Sequence, residues 1–188
     1  MKRNQYTLGK PISFKGNGLH SGIPVTLTMR PAPAGSGIIF RRIDLTGAPE
    51  VPAKSEFVTN TLRATTLERG DAKVFTVEHI LSALFALRID NCILEMDAPE
   101  PPVADGGALT FSQMILKAGI VELEKQTDIL TLETSVAVYE DNKFITALPY
   151  DGLRITFTSI NPHPLLGTQM KDFIIDKETY IREIAPSR

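Results

Sequence analysis

The stretch "TVEHILSALFALRIDNCILEMD", Thr76–Asp97, places one amphipathic helix directly before one strand. At about 100° per residue, Val77, Ile80, Leu81 and Leu84 share one face, with Phe85 at its edge. Such a stripe is what a surface helix buries in a core, and the spacing predicts a helix over Val77–Leu87. Glu78 lies on the rim of the stripe. His79 points nearly opposite, among Ser82, Ala83 and Ala86. The helix therefore has a bulky side and a small-residue side that carries an imidazole. Thr76 is a suitable N-cap, and "NCILEMD" reads as a strand.

Upstream, the chain reads as strands. "QYTLGKPISFKG" leads into "NGLHSG", a turn rich in Gly and Asn, and "IPVTLTMR" alternates with the period of a strand. "RPAPAGSG" is a loop by its Pro and Gly content, "IIFRRID" returns as a strand, and the Thr-rich "TLRATTLE" reads as extended. Downstream, "APEPPVADGGA" is a stiff loop. In it, Gly106 and Gly107 allow a sharp bend, and Asp105 can cap the next helix or hold the bend. That helix spans roughly Leu109–Lys117, with Gly119 as its C′ residue. "ELEKQTD", Glu122–Asp128, is charged and lacks a pattern, so a boundary is expected there, between domains at 1–124 and 125–188. Strands then resume, and a short helix is expected after Asp176, its N-cap, with Tyr180, Ile181 and Ile184 on one side. "IPVTLTMRPAPAGSGIIFRR" and "KFITALPYDGLRITFTS" share an order of strand, Pro turn, Gly and strand. An internal repeat or common turn chemistry would each produce this.

The chain has 188 residues, enough for one domain or two small ones. Its net charge of −2, its lack of a long basic run and its 7% aromatic content count against nucleic-acid binding. Cys92 is the single cysteine, which excludes an intrachain disulfide and suits a reducing compartment. "MKRNQYTLGK" has no apolar segment behind its charges, so it is not read as a signal peptide. No apolar run approaches the length of a membrane span. A soluble, cytoplasmic protein is expected.

The helix start carries the chemistry. Glu78 and His79 fall in the first turn, where the helix dipole favours a carboxylate and disfavours an imidazolium. A neutral imidazole is what a metal ion needs, and a neighbouring carboxylate can act as a base on water. A plainer account stands beside this one, because a first-turn glutamate serves the dipole alone and a histidine off the core face is commonly just solvated. The order is Glu-His, and no H-E-x-x-H is present. His20, in "GNGLHSG", and His163, in "INPHPLLG", read singly as loop residues.

Taken in order, "GNGLHSG", "VTLTMRPAPAGSGIIFRR", "TVEHILSALFALRIDN" and "EMDAPEPPVADGGA" resemble the zinc-dependent deacetylases that act on UDP-3-O-acyl-N-acetylglucosamine in lipid A biosynthesis in Gram-negative bacteria. The resemblance covers essentially the whole chain. It implies two similar α+β domains whose helices pack between two sheets, with the site where the domains meet and the second domain incomplete here. It further implies His79 as a ligand of one zinc ion and Glu78 as general base. Lys143 would contact the nucleotide phosphates, Leu62 and Ala64 would line the site, and His20 would lie close to it without an assigned role. Each of these has an ordinary structural reading as well: a solvated turn lysine for Lys143, strand residues for Leu62 and Ala64. Peripheral contact with the inner membrane is a further implication.

The sequence also departs from the family. It ends at "APSR", where the family continues with Thr-Phe-Gly, and the remaining zinc ligands, an H-K-x-x-D histidine and aspartate, and the general acid are not found in it. The 188 residues alone are therefore expected to be nearly inactive, since catalytic zinc normally takes three protein ligands. Asn161 stands where the family usually has an aromatic residue, which puts uracil stacking in doubt. "DGGA" replaces D-G-S-A, which is expected to affect a turn rather than the reaction. The competing expectation is a non-catalytic sugar-nucleotide or lipid-binding module of the same fold.

Overall fold

The computed structural model describes residues 2–187. Strand β1 (Lys2–Leu8) is followed by a hairpin of β2 (Ile12–Asn17) and β3 (Pro24–Pro31). Next come β4 (Ile38–Arg42), β5 (Glu50–Pro52), β6 (Val58–Asn60), β7 (Thr66–Arg69) and β8 (Ala72–Phe75). Helix α1 (Glu78–Ala86), strand β9 (Cys92–Met96), helix α2 (Leu109–Ala118) and strand β10 (Ile120–Asp128) complete the first part.

The central sheet has the order β2-β3-β9-β4-β5, and β9 runs antiparallel to β3 and parallel to β4. Period-2 alternation decides its two faces. Val25, Leu27 and Met29 of β3, Phe40 of β4 and Cys92, Leu94 and Met96 of β9 point into one core. On the other face Glu95 pairs with Arg30 and, at 3.1 Å, with Arg41, whose guanidinium also reaches Glu50 at 2.6 Å. The core is completed by α1 and α2, which pack together and contribute Ile80, Ala83, Leu84, Phe111, Met114 and Ile115. Burial pushes the Cys92 thiol up to about 12, so it behaves as a small hydrophobe.

A second sheet, β6-β7-β8, stands beside the first. Arg42, 6% exposed, joins the two: its guanidinium donates to the Lys73 carbonyl at 2.6 Å and grips the Asp44 carboxylate at 2.8 and 2.7 Å.

The helix expected over Val77–Leu87 is α1, shorter by one residue at each end. Ala83, expected on the small-residue side, is fully buried, while Phe85 is 69% exposed. Thr76 is not the N-cap. Val77 occupies that position without a side-chain cap, and Thr76 is left-handed, with φ +56°. A sharp reversal between β8 and α1 takes that residue, and its hydroxyl bonds elsewhere. Helix α2 ends at Gly119, φ +80°, as expected, and Asp105 accepts from Thr110 N at 3.3 Å in its first turn.

Glu122–Asp128 is not a patternless linker. It lies in β10, which pairs antiparallel with β1 from Leu8↔Ile120 to Lys2↔Asp128 across one bulge. Beyond it stand two hairpins: β11 (Val136–Glu140) with β12 (Lys143–Ala147), and β13 (Arg154–Ile160) with β14 (Thr168–Ile174). Among the described residues no strand joins these hairpins. The chain then enters α3 (Lys177–Thr179), capped by Asp176 Oδ1 accepting from Thr179 N at 2.7 Å, and a π-helical turn over Tyr180–Ile184. This segment returns to the first core. Tyr180 and Ala185 are buried there, the Tyr180 hydroxyl is 2.7 Å from Ser82 Oγ on α1, and Ala108 N donates to the Ala185 carbonyl at 2.8 Å.

Candidate active site

The β8–α1 reversal sets Glu78 and His79 at the exposed start of a helix whose other face is core. Glu78 is exposed, and its Oε1 accepts from the backbone N–H of Thr65. That contact ties the carboxylate to the 61–65 loop, where Arg63 is left-handed at φ +63° and Asn60 Oδ1 accepts from Leu62 N at 2.7 Å. "TLRATTLE", expected as extended throughout, is therefore a bent loop up to Thr65 and a strand only from Thr66. The bend projects Leu62, 78% exposed, outward.

Beside this loop lies an open cavity of about 240 Å³, lined by His20, Leu62, Arg63, Ala64, Thr66, Lys73 and Phe75. Three residues singled out from the sequence, His20, Leu62 and Ala64, thus meet in one place. His79 is half-buried and lines a narrow neighbouring cleft with Leu19, Thr76, Pro101, Pro102, Val103 and Phe111. The 18–23 turn links the two, since Leu19 faces the cleft and His20 the cavity. Lys143 lies in neither. It is exposed at the start of β12, opposite Glu140. Asn161 and His163 lie in an exposed turn of their own, where Asn161 Oδ1 accepts from His163 N at 2.9 Å.

Glu100 is the residue that sequence reasoning missed. It is fully buried, and its partners His20 and Thr76 line the cavity and the cleft. Its carboxylate accepts from His20 N at 3.1 Å, from Ser21 N at 2.8 Å and from Thr76 Oγ1 at 2.8 Å. Burial pushes this carboxyl up, but the bonds from Ser21, His20 and Thr76 outweigh it and hold the group below the usual range. Its one visible signal was a lone acid among prolines in "APEPP".

The family profile for "UDP-3-O-acyl N-acetylglycosamine deacetylase" (LpxC) matches residues 5–188. The chain belongs to this family. A bifunctional LpxC/FabZ enzyme of Chlorobaculum tepidum is 43% identical over 188 residues, covering 98% of this chain and 40% of that protein. UDP-3-O-acyl-N-acetylglucosamine deacetylases of Myxococcus xanthus and Legionella pneumophila are 42% and 41% identical, over 98% of this chain and 59% and 61% of theirs. The chain thus spans between 40% and 61% of the length of these LpxC relatives. The α+β architecture agrees with the expected class. No helix among the described residues is long and apolar enough to cross a membrane.

Proposed function

We propose that this chain carries part of the active site of a zinc-dependent amidohydrolase. The substrate would be UDP-3-O-acyl-N-acetylglucosamine, and loss of its acetyl group would be the committed step of lipid A biosynthesis in a Gram-negative cytoplasm. One juxtaposition supports this most: a carboxylate and an imidazole on consecutive residues at the start of α1, beside the cavity of His20, Leu62 and Ala64. Family membership and the names of the relatives point the same way.

His79 suits a metal ligand. It is half-exposed, and its ring nitrogens have no hydrogen-bond partner among the described residues. Among those residues, however, no group of three or more His, Cys, Asp or Glu could hold a metal. Catalytic zinc takes three protein ligands, so His79 fits as one ligand of a centre that the described residues do not complete. Zinc held there would polarise the acetamide carbonyl and acidify water. Glu78 takes the proton from the attacking water, with Oε1 fixed by Thr65 N–H. Leu62 and Ala64 supply apolar shape to the cavity. Lys143 is proposed to reach the nucleotide phosphates from the exposed end of β12.

In a protein of the relatives' length that carries this segment, Glu78→Gln should lower deacetylation by about 10²–10⁴-fold. His79→Ala should lower bound zinc in metal analysis. Unchanged turnover and zinc content in those variants would overturn the assignment. The 188 residues alone should turn over far more slowly than the longer protein. A second reading is binding of the sugar nucleotide or lipid without turnover. Saturable binding to the 188 residues with no hydrolysis in the longer protein would select it.

A further inference from the structure

We infer that Glu100 is a positioning residue whose buried carboxylate fixes the His20 turn against the start of the Glu78–His79 helix. The inference deepens the function proposed above and rests on it. Three chain segments meet at this one side chain. The 18–23 turn brings the N–H groups of His20 and Ser21. The β8–α1 reversal brings the Thr76 hydroxyl. The 99–103 loop carries Glu100 itself and is held to the other two by Phe75 N donating to the Pro99 carbonyl at 3.0 Å and Val103 N donating to the Asn17 carbonyl at 2.8 Å.

The chemistry argues against a merely space-filling role. A fully buried carboxylate is expensive unless hydrogen-bonded, and this one has donors from two separate segments, 80 and 24 residues away in sequence. Thr76 is β-branched at φ +56°, a conformation that persists only where the surroundings over-determine it. Its bond to Glu100 is such a determinant, and Glu78 and His79 follow two and three residues later. Gly18, buried in the same turn, leaves the space that the carboxylate occupies: a Cβ there would stand 3.0 Å from Glu100 Cδ. Removing the acceptor frees both the turn that carries His20 and the residue that aims the helix start. A shift of about 1 Å at reacting groups can cost about 10²-fold in rate.

The test uses a deacetylase of the relatives' length that carries this segment, measuring kcat, KM and amide hydrogen exchange. Glu100→Gln keeps the shape but presents an amide NH₂ to donors. It should lower kcat by about 10²-fold with KM changed less than about threefold, and should speed exchange at the His20 and Ser21 amides at least about tenfold. Thr76→Val removes one donor at constant shape and should lower kcat about tenfold or more, whereas Thr76→Ser should restore it to within about twofold. If Glu100→Gln does not fold, the Thr76 pair decides. Glu100→Gln with kcat within twofold overturns the inference, as do equal losses in Thr76→Val and Thr76→Ser. Glu78→Gln is the control for the underlying function. If it retains full activity, that function fails and the exchange rates at His20 and Ser21 alone decide the role of Glu100: unchanged exchange overturns it, and accelerated exchange supports it.

Discussion

Gly18→Ala should destabilise the protein through Glu100 rather than through its own backbone. A Cβ on Gly18 would overlap Ser21 Oγ and one Glu100 carboxylate oxygen, and would stand 3.0 Å from Glu100 Cδ. Carbon atoms pack at about 3.5–4.0 Å, so the carboxylate must withdraw by about 0.5–1 Å. Its bond from Ser21 N, now 2.8 Å, would then pass the length at which a hydrogen bond survives. A hydrogen bond to a charged group contributes about 1.5–3 kcal/mol, and overpacking alone costs about 1–3 kcal/mol. A loss of about 2.5–6 kcal/mol follows from these two contributions, or about 5–24 °C in Tm for a chain of this length. The assay is thermal unfolding of four proteins: parent, Gly18→Ala, Glu100→Ala and the double variant. With the carboxylate gone, the added methyl has only the Ser21 hydroxyl to displace, a group then held by one long bond from Ile23 N at 3.3 Å, so its cost should fall below about 1 kcal/mol. The coupling between the two sites should thus reach at least about 1.5 kcal/mol, a value within the span found for contacting residues. Equal costs of Gly18→Ala in both backgrounds would refute the steric link.

Ile80 is fully buried on the core face of α1, so Ile80→Ala should lose about 2–5 kcal/mol in urea unfolding; a loss under about 1 kcal/mol would mean that α1 does not seat as described. Asp172 takes bonds from Arg154 and Thr156, which hold its carboxyl at about 2, below the ordinary 3.8. Because the folded value is the lower one, its contribution to stability is complete above about pH 4 and is lost as pH falls toward 2. NMR titration of the Asp172 carboxyl should show that midpoint, and in Arg154→Met the midpoint should rise; a midpoint unmoved by the substitution would remove Arg154 as the cause. The hairpins β11–β12 and β13–β14 expose Val138, Phe144, Ile145 and Phe157, each at least 65% accessible, and open strand edges invite pairing between chains. The 188 residues alone should therefore self-associate with rising concentration in sedimentation, and a strictly monomeric species at high concentration would contradict that.

What could be read from the sequence was what repeats locally. The α1 stripe, the strand alternation of "IPVTLTMR", the Gly119 stop and the Asp176 cap each lie within a window of a few residues, where periodicity and capping chemistry operate. What could not be read was long-range. Thr76 looked like an N-cap because Thr caps helices, but its hydroxyl is taken by Glu100, 24 residues on. Glu100 itself sits between prolines, and no spacing rule announces an acid whose partners come from a distant turn. The charged run of β10 looked like a linker because neither face of that strand is deeply buried; its pairing with β1 is carried by backbone bonds that leave no hydrophobic signature. Leu62, Ala64 and His20 could be grouped only through family resemblance, since a bent loop and a distant turn make the cavity they share.

Two hairpins, β2–β3 and β4–β5, precede α1, and two more, β11–β12 and β13–β14, follow β10. In the first half, β9 arrives behind α1 and slots between the β2–β3 hairpin and the β4–β5 hairpin, pairing with both. That single insertion makes two ribbons into one sheet, and Phe40, Leu94 and Val51 are fully buried as a result. In the second half, β11–β12 and β13–β14 follow one another, and among the described residues nothing occupies the corresponding slot. An isolated two-stranded hairpin is marginal in water, so these hairpins cannot by themselves hold the helix that follows. The helix docks instead on the first half, through Tyr180 at Ser82 and Ala185 at Ala108. Gly107 permits this: a Cβ there would stand 2.7 Å from the Ala185 carbonyl oxygen. The face of α1 that offers Ser82 to Tyr180 belongs to the same helix that starts with Glu78 and His79. The geometry of the candidate site is therefore coupled to where the second half anchors, and a substitution at Tyr180 or Gly107 acts on the helix that carries the chemistry as well as on the fold.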